Sequence, residues 1–438
     1  MVGSLLHRLE WQSAFDGRFA SLGLYLLVGV AILGCLFAIA YDGTSTRLAT
    51  HPGAIRDRDF IMAWITDGYV HYGGLLRYPG GPPHPQPFFY RNDIGGWLQG
   101  IHVLQRVQYW VTGRYSFMLT AVHNQIVIML SASFLGLLAL RVARRTGVEP
   151  LRAACLGVAC MLVYQTFPKN LMHFWQGSPH AAFVLFLAIF LVSEETSIAQ
   201  GTLSRVGRLA RAVAVFGMLY VEHVGGVLFL AVYFTAVLIL RPHAGLDLRG
   251  TVALLLPALL ALGLRAMQFV WVRHRFPSME ILGSTIGFRS GFDGAMTYYK
   301  THFDLLYARR LSFAYPSFNN PDFNDWKWFF VAGVAALVIL AWNYSRTPEL
   351  KIPVWLVTIA LGPYALQAFV FSQSVVIHSE LYDILLALPL TLAVFGIVPA
   401  WSETRSGHTG LPVFLSLIVA FCYAMVQLRA YVAMIPPQ

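Results

Sequence analysis

Ten apolar stretches divide this chain, at 19–41, 117–140, 153–167, 180–193, 212–240, 251–272, 328–342, 352–371, 381–400 and 411–428. A helix crossing the hydrocarbon of a bilayer needs about 20 apolar residues. Inside lipid the backbone finds no water, so each crossing segment must satisfy its own N–H and C=O groups, as a helix does. The bulk composition agrees: of 438 residues, 57% are hydrophobic and 12% charged, where a soluble domain carries roughly 25% charged residues. The fold class expected is all-α, a polytopic membrane protein built as a single integral membrane domain over 1–438. The N-terminal "MVGSLLHRLEWQSAFDGRF" is polar and mixed in charge. No small-residue cleavage site follows it, so the first apolar stretch reads as an uncleaved helix.

The stretch 212–240 is too long for one simple crossing and carries "YVEHVGG" at its middle. It is expected to form two short helices that meet at 222–226, entering from and returning to the same side. That brings the expected total to about eleven helices.

Charge sets the expected orientation. The net charge is +10, and short cytoplasmic loops hold an excess of lysine and arginine. Arg141, Arg144, Arg145 and Arg152 lie in one connection, Arg205, Arg208 and Arg211 in another, Arg241 and Arg249 in a third. With the split segment these fall on one face with the N-terminus, which is therefore expected to be cytoplasmic. The segments at about 42–116 and 273–327 become outer loops. No basic block or recognition motif calls for nucleic acid. Cys35, Cys155, Cys160 and Cys422 all sit in apolar stretches and read as small buried hydrophobes, not as a disulfide framework or metal site.

The first outer loop has its own pattern. In "IRDRDFIMAWITDGYVHYGG" the residues Phe60, Trp64 and Tyr69 recur at roughly helical spacing, and Gly73-Gly74 ends the run. This fits an amphipathic helix lying on the membrane. The Pro-rich turn "PGGPPHPQPFFY" follows. Then "RNDIGGWLQGIHVLQRVQYWV" forms a second expected surface helix, greasy along Trp97, Leu98, Ile101, Leu104 and Val107. Arg91 and Asp93, at its start, are candidate substrate-binding residues.

This layout resembles the GT-C superfamily of membrane glycosyltransferases, which take sugars from polyprenyl-phosphate carriers. "RDFIMAWITDGYVHYGGLLRY" is similar to the pattern after the first span in the mannosyl and arabinosyl branches, through Asp59, Phe60, Gly73 or Gly74, and Tyr78. The chain departs from that pattern at Arg91-Asn92-Asp93, which stand where prolines often open the second surface helix. The resemblance implies an inverting transfer from a polyprenyl-phosphate-linked sugar to a glycan or glycolipid acceptor, on the outer face of a bacterial inner membrane. It also implies an acidic residue in the first outer loop as the base that deprotonates the acceptor hydroxyl. The matching position is Asp59, with Asp57 in reserve. A single displacement needs one such carboxylate, where a retaining hydrolase uses two. The alternative for both aspartates is surface ion pairing with Arg56 and Arg58, worth ~0–1 kcal/mol each.

A lipid phosphate needs cationic or hydrogen-bonding partners. "SQSVVIHSELYDILLALPL" puts His378 and Tyr382 at the outer start of a span, four residues apart on one helical face. They bind phosphate or belong to a plain interfacial belt. Arg265 lies within an apolar stretch, where arginine is costly. It contacts phosphate, pairs with Glu222 or snorkels to the interface. "FPKNLMHFWQGSPH" offers His173 and Trp175 for a sugar, or is only a tight polar turn. Glu222 and His223, at the expected break, line a cavity or form a buried structural pair. No cofactor is expected. A divalent metal finds no support, since no carboxylate cluster stands out beyond Asp57 and Asp59.

Two rivals remain. A transporter or flippase of a lipid-linked sugar would also need a polar midplane, but such folds repeat their broken helices, and only one break is legible. An O-antigen polymerase or ligase would draw on a late arginine-rich loop, and Arg273, Arg275, Arg289, Arg309 and Arg310 fit that pattern.

Overall fold

The computed structural model describes residues 18–50, 107–114, 116–172, 179–201, 203–240, 252–275, 326–370 and 379–433. The described residues are helical, with no strand among them. The helices are α1 (Arg18–Thr50), α2 (Phe117–Arg145), α3 (Pro150–Gln165), α4 (Pro168–Met172), α5 (Pro179–Gln200), α6 (Arg205–Val221), α7 (His223–Leu240) and α8 (Leu255–Arg275). They continue with α9 (Trp326–Tyr344), α10 (Lys351–Val370), α11 (Ser379–Thr391), α12 (Val398–Arg405) and α13 (Leu411–Ala433). A π-helical stretch, Leu392–Ile397, joins α11 to α12.

A helix occupies each of the ten apolar stretches. Among the described residues, six carry windows long and apolar enough to cross a membrane: Ser21–Ala38, Ala121–Arg145, Ala181–Gln200, Pro348–Leu366, Ile384–Arg405 and Leu411–Tyr431. Shorter apolar helices run over Pro150–Gln165, His223–Leu238, Leu255–Met267 and Phe329–Tyr344. The fold is thus that of a membrane protein.

Local chemistry sets several boundaries. Ser116 accepts a hydrogen bond from the Leu119 N–H and so starts α2. Ser204 does the same for Gly207 at the start of α6. Pro150 opens α3 at the position where a missing N–H is harmless. Arg144 and Arg145 fill the last turn of α2, at the negative end of its dipole.

α1 departs from expectation. It runs 33 residues to Thr50, so the first residues of the expected outer loop, from 42 onward, are helical. Hydropathy marks where lipid contact ends; backbone hydrogen bonds continue beyond it. Residues 107–112, the end of the expected second surface helix, are also helical. They stop at Gly113, whose φ of 64° suits a residue without Cβ and whose N–H bonds the Tyr109 carbonyl. The remainder of that helix, the first surface helix and the segment 276–325 lie outside the described residues.

Burial separates core helices from a periphery. α2, α3, α5 and, from Ile384 on, α11 are covered nearly all round, and their side chains dominate the main apolar core. By contrast α8, α9 and α13 turn rows of large apolar residues outward, among them Leu256, Leu259, Val338, Phe414 and Val419. Apolar faces of that size are stable against lipid and not against water. At the centre α2 and α3 approach closely. A Cβ on Gly136 would meet the Gly157 carbonyl oxygen at 3.0 Å, and one on Gly157 would meet the Tyr25 hydroxyl at 2.2 Å. Tyr25, fully buried, fills the resulting notch from α1 and donates to the Ala154 carbonyl at 3.4 Å.

The arginines flanking the connection from α2 to α3 make their ion pairs at one end of the bundle. Arg141 and Arg145 of α2 both bond Glu195 near the end of α5. Arg152, at the start of α3, reaches Glu403 of α12 at 2.6 Å. The opposite end carries the starts of α2 and α5 and the end of α6, where Val127, Ile128, Ala181, Ala182 and Val221 form a small apolar cluster.

Candidate functional site at the helix break

The long apolar run breaks where its sequence stops being helical in character. α6 ends at Val221. Glu222 leaves helical geometry, with φ −134° and ψ 84°, while its N–H still bonds the Met218 carbonyl at 3.0 Å. His223 opens α7, and the Gly226 N–H bonds back to the Glu222 carbonyl at 2.8 Å. The two arms touch from the first turn because Gly226 lacks a side chain: a Cβ there would lie 2.7 Å from Leu219 Cα. One non-helical residue therefore suffices to turn one helix into the next.

Into this corner α8 projects Arg265. Its side chain is buried, with Nη2 3.3 Å from His223 Nδ1 and the guanidinium 6.0 Å from the centre of the Tyr220 ring. Tyr220 in turn stacks on Phe216, one turn earlier on α6. The Glu222 carboxylate-bearing residue is also buried, 4% exposed, whereas His223 is half-buried. A guanidinium, an imidazole and a carboxylate thus share the break between two helices. Guanidinium and imidazole N–H groups together suit a phosphate oxyanion. The carboxylate is an acceptor for a hydroxyl proton.

A second polar cluster lies at the same end of the bundle, where α2 begins and α3 passes into α4. Gln125 donates to the Asn170 carbonyl at 3.1 Å, and Asn170 donates through Nδ2 to the Tyr164 carbonyl. Both residues are fully buried, and Lys169 beside them is 8% exposed. Gln125 Oε1 and Asn170 Oδ1 accept no hydrogen bond from the described residues.

Of the residues expected from the sequence, the structure brings Arg265 and His223 together, with Glu222 next in the chain. Tyr382 lies on α11, one turn from its start. Asp57, Asp59, Arg91, Asp93, His173, Trp175 and His378 lie outside the described residues. Tyr220 and Gln125 were missed by sequence reasoning. A visible signal existed for each: Tyr220 stands three residues before His223 at the expected break, and His123-Asn124-Gln125 interrupts an apolar stretch. Among the described residues no group of three or more His, Cys, Asp or Glu side chains is placed to hold a metal ion. No protein-family model matches the chain, and no curated protein is significantly similar to it.

Proposed function

We propose that this chain is an inverting glycosyltransferase of the GT-C type, moving a sugar from a polyprenyl-phosphate carrier to a lipid or glycan acceptor. The reading rests on one observation above the others: Arg265 is buried beside His223 at a helix break inside an apolar bundle. A buried guanidinium in a membrane protein is expensive and commonly serves an ion, substrate or partner. A lipid-borne phosphate brings its charge into the bilayer along the path such a group would serve. In this reading about eleven helices cross the membrane, with the arginine-rich connections cytoplasmic and the helix break facing outward.

The reaction divides as follows. Asp59, with Asp57 in reserve, takes the proton from the acceptor hydroxyl. That oxygen attacks the anomeric carbon, the bond to the carrier phosphate breaks, and the configuration inverts. Arg265 and His223 hold the departing phosphate oxygens, with His378 and Tyr382 assisting. His173, Trp175, Arg91, Asp93 and Glu222 orient the sugar and the acceptor. Gln125 and Asn170 supply further buried acceptors near this end.

The test is incubation of the purified protein with a panel of polyprenyl-phosphate sugars and an acceptor extract, reading released carrier by mass spectrometry. Transfer that disappears in Asp59→Asn, with the variant still monodisperse, is the expected result. An Asp59→Asn variant with full activity overturns the assignment of the base.

The break at Glu222 also favours a second reading, a transporter of a lipid-linked sugar, because discontinuous helices line many transport sites. Liposomes separate the two. A transporter moves labelled lipid-linked sugar between leaflets with no new glycosidic bond; a transferase forms the bond.

A further inference from the structure

α6 begins on a face that the bundle leaves uncovered. At roughly 100° per residue, Arg208, Arg205, Leu209, Val213 and Val206 follow one another around about 160° of the helix. All five are exposed, Val206 by 72%, Leu209 by 65% and Val213 by 47%. Guanidiniums edge this strip on one side, and aliphatic side chains fill the other. Arg211 lies off the strip, buried and engaged by Glu194. Arg205 and Arg208 have no ion-pair or side-chain hydrogen-bond partner among the described residues.

The start of a helix carries positive partial charge, so cations are unfavourable there. The first turn of α6 has no acidic residue, and the helix itself therefore offers these two guanidiniums no anion. Their depth identifies one. The Glu194–Arg211 pair sets α5 and α6 antiparallel around the connection at 201–204, so Arg205 lies level with Gln200. The apolar window of α5 ends at Gln200. Apolar windows stop where hydrocarbon gives way to head groups, which is where lipid phosphates lie. Leu209 and Val213 follow Arg205 one and two turns deeper, on the side of the acyl chains. Basic residues beside an apolar strip at a membrane surface attract anionic head groups by charge, while the strip enters the acyl boundary.

We propose that the first turns of α6 bind the phosphodiester of an anionic membrane lipid, with Arg205 and Arg208 on its oxygens and Val206, Leu209 and Val213 against its acyl chains. The contact anchors the hairpin of α5 and α6 at the membrane surface. It is separate from the helix break, which lies at the other end of α6.

The test uses the full chain in nanodiscs of phosphatidylcholine and phosphatidylglycerol, with one or the other lipid carrying a photoactivatable diazirine. Mass spectrometry maps the cross-linked peptides. Photoactive phosphatidylglycerol is expected to label residues 205–213 in preference to photoactive phosphatidylcholine. Arg205→Gln is expected to lower that preference roughly fivefold, the effect of one surface charge, and Arg205→Lys to preserve most of it. Arg346→Gln, an arginine on another connection, is expected to leave the labelling of 205–213 unchanged. The proposal is overturned by equal labelling from the two lipids, or by Arg205→Gln with Arg208→Gln labelling as wild type while monodisperse. It is overturned equally if millimolar inorganic phosphate, at constant ionic strength, abolishes the preference, since the arginines then take free phosphate. If the double variant fails to fold, Arg208→Gln alone carries the same comparison.

Discussion

Glu194 and Arg211 form a buried ion pair, Oε2 to Nη2 at 2.6 Å, with side chains 1% and 7% exposed. Tyr233 donates to the same carboxylate at 3.2 Å, and Trp355 donates through Nε1 at 3.3 Å. Arg211 also bonds the Tyr233 hydroxyl and lies over the Phe190 ring, 5.2 Å from its centre. One carboxylate therefore ties α5 to α6, α7 and α10. The next residue, Glu195, is turned about 100° around the helix and serves α2 instead. Removing one partner of a buried pair strands the other charge and costs about 3–5 kcal/mol. Glu194→Gln is accordingly expected to lower the thermal midpoint in detergent sharply. The double substitution Glu194→Leu with Arg211→Met should recover much of the loss, because two apolar side chains leave no charge unpaired. A Glu194→Gln protein as stable as wild type contradicts this role.

The close approach at the break gives a second expectation. A Cβ on Gly226 meets the backbone of Leu219 at 2.7 Å, and a backbone cannot rotate away as a side chain tip can. Gly226→Ala should cost roughly 1–3 kcal/mol, as overpacking does, and should pry α7 from α6. Gly34 on α1 has no heavy atom within 4 Å of its virtual Cβ. Gly34→Ala should be neutral or stabilising, by up to ~1 kcal/mol from helix propensity. Chemical denaturation of the two variants side by side reads the contrast, and equal stabilities would remove the steric argument.

Between α11 and α12 the chain is held from α13. Leu392–Ile397 is π-helical, with the Val398 N–H on the Ala393 carbonyl five residues back, and Pro399 just after it has no N–H to offer. Ser416 of α13 donates from Oγ to the Phe395 oxygen at 3.2 Å. Ser416→Ala should cost about 0.5–1.5 kcal/mol, the net worth of one such bond. Thermal unfolding reads that cost, and a Ser416→Ala protein as stable as wild type would mean that the bond adds nothing.

How far the sequence could be read depended on what each feature answers to. The break at Glu222 was legible because a 29-residue apolar run from 212 to 240 exceeds one crossing and carries a charged pair followed by two glycines. The end of α1 at Thr50 was not, since hydropathy reports the lipid boundary and a helix needs only its own backbone bonds. Glu194 and Glu195 stand side by side just past the apolar stretch 180–193. Only packing reveals that they brace different helices. The bond from Ser416 to the π-helical stretch joins residues distant in sequence and has no local signature. At the site, Arg265 and Glu222-His223 stood out because charge in an apolar run needs a reason. That Arg265 meets His223 comes from the crossing of α8 and α6, which no single stretch encodes. The aspartates of the first loop stood out by pattern alone, and their geometry lies outside the described residues.

Arg265 offers the most direct link between the fold and the proposed chemistry. Its guanidinium lies against His223 and over Tyr220, a geometry fixed by a planar fork. Lysine keeps the charge but loses the fork and the stacking surface. If the group holds the phosphate of the donor in both ground and transition states, Arg265→Lys should raise KM for the polyprenyl-phosphate sugar with little change in kcat. If it acts mainly on the departing phosphate, kcat should fall instead, by roughly tenfold for each 1.4 kcal/mol of stabilisation removed. His223→Gln should change the same parameter, since the imidazole and the guanidinium serve one oxyanion, and the double variant should lose less than the sum of the two. Steady-state kinetics with a single polyprenyl-phosphate sugar, measured on monodisperse protein, distinguishes these outcomes. Unaltered kcat and KM in both single variants would remove Arg265 and His223 from the reaction and leave them a structural pair at the turn between α6 and α7.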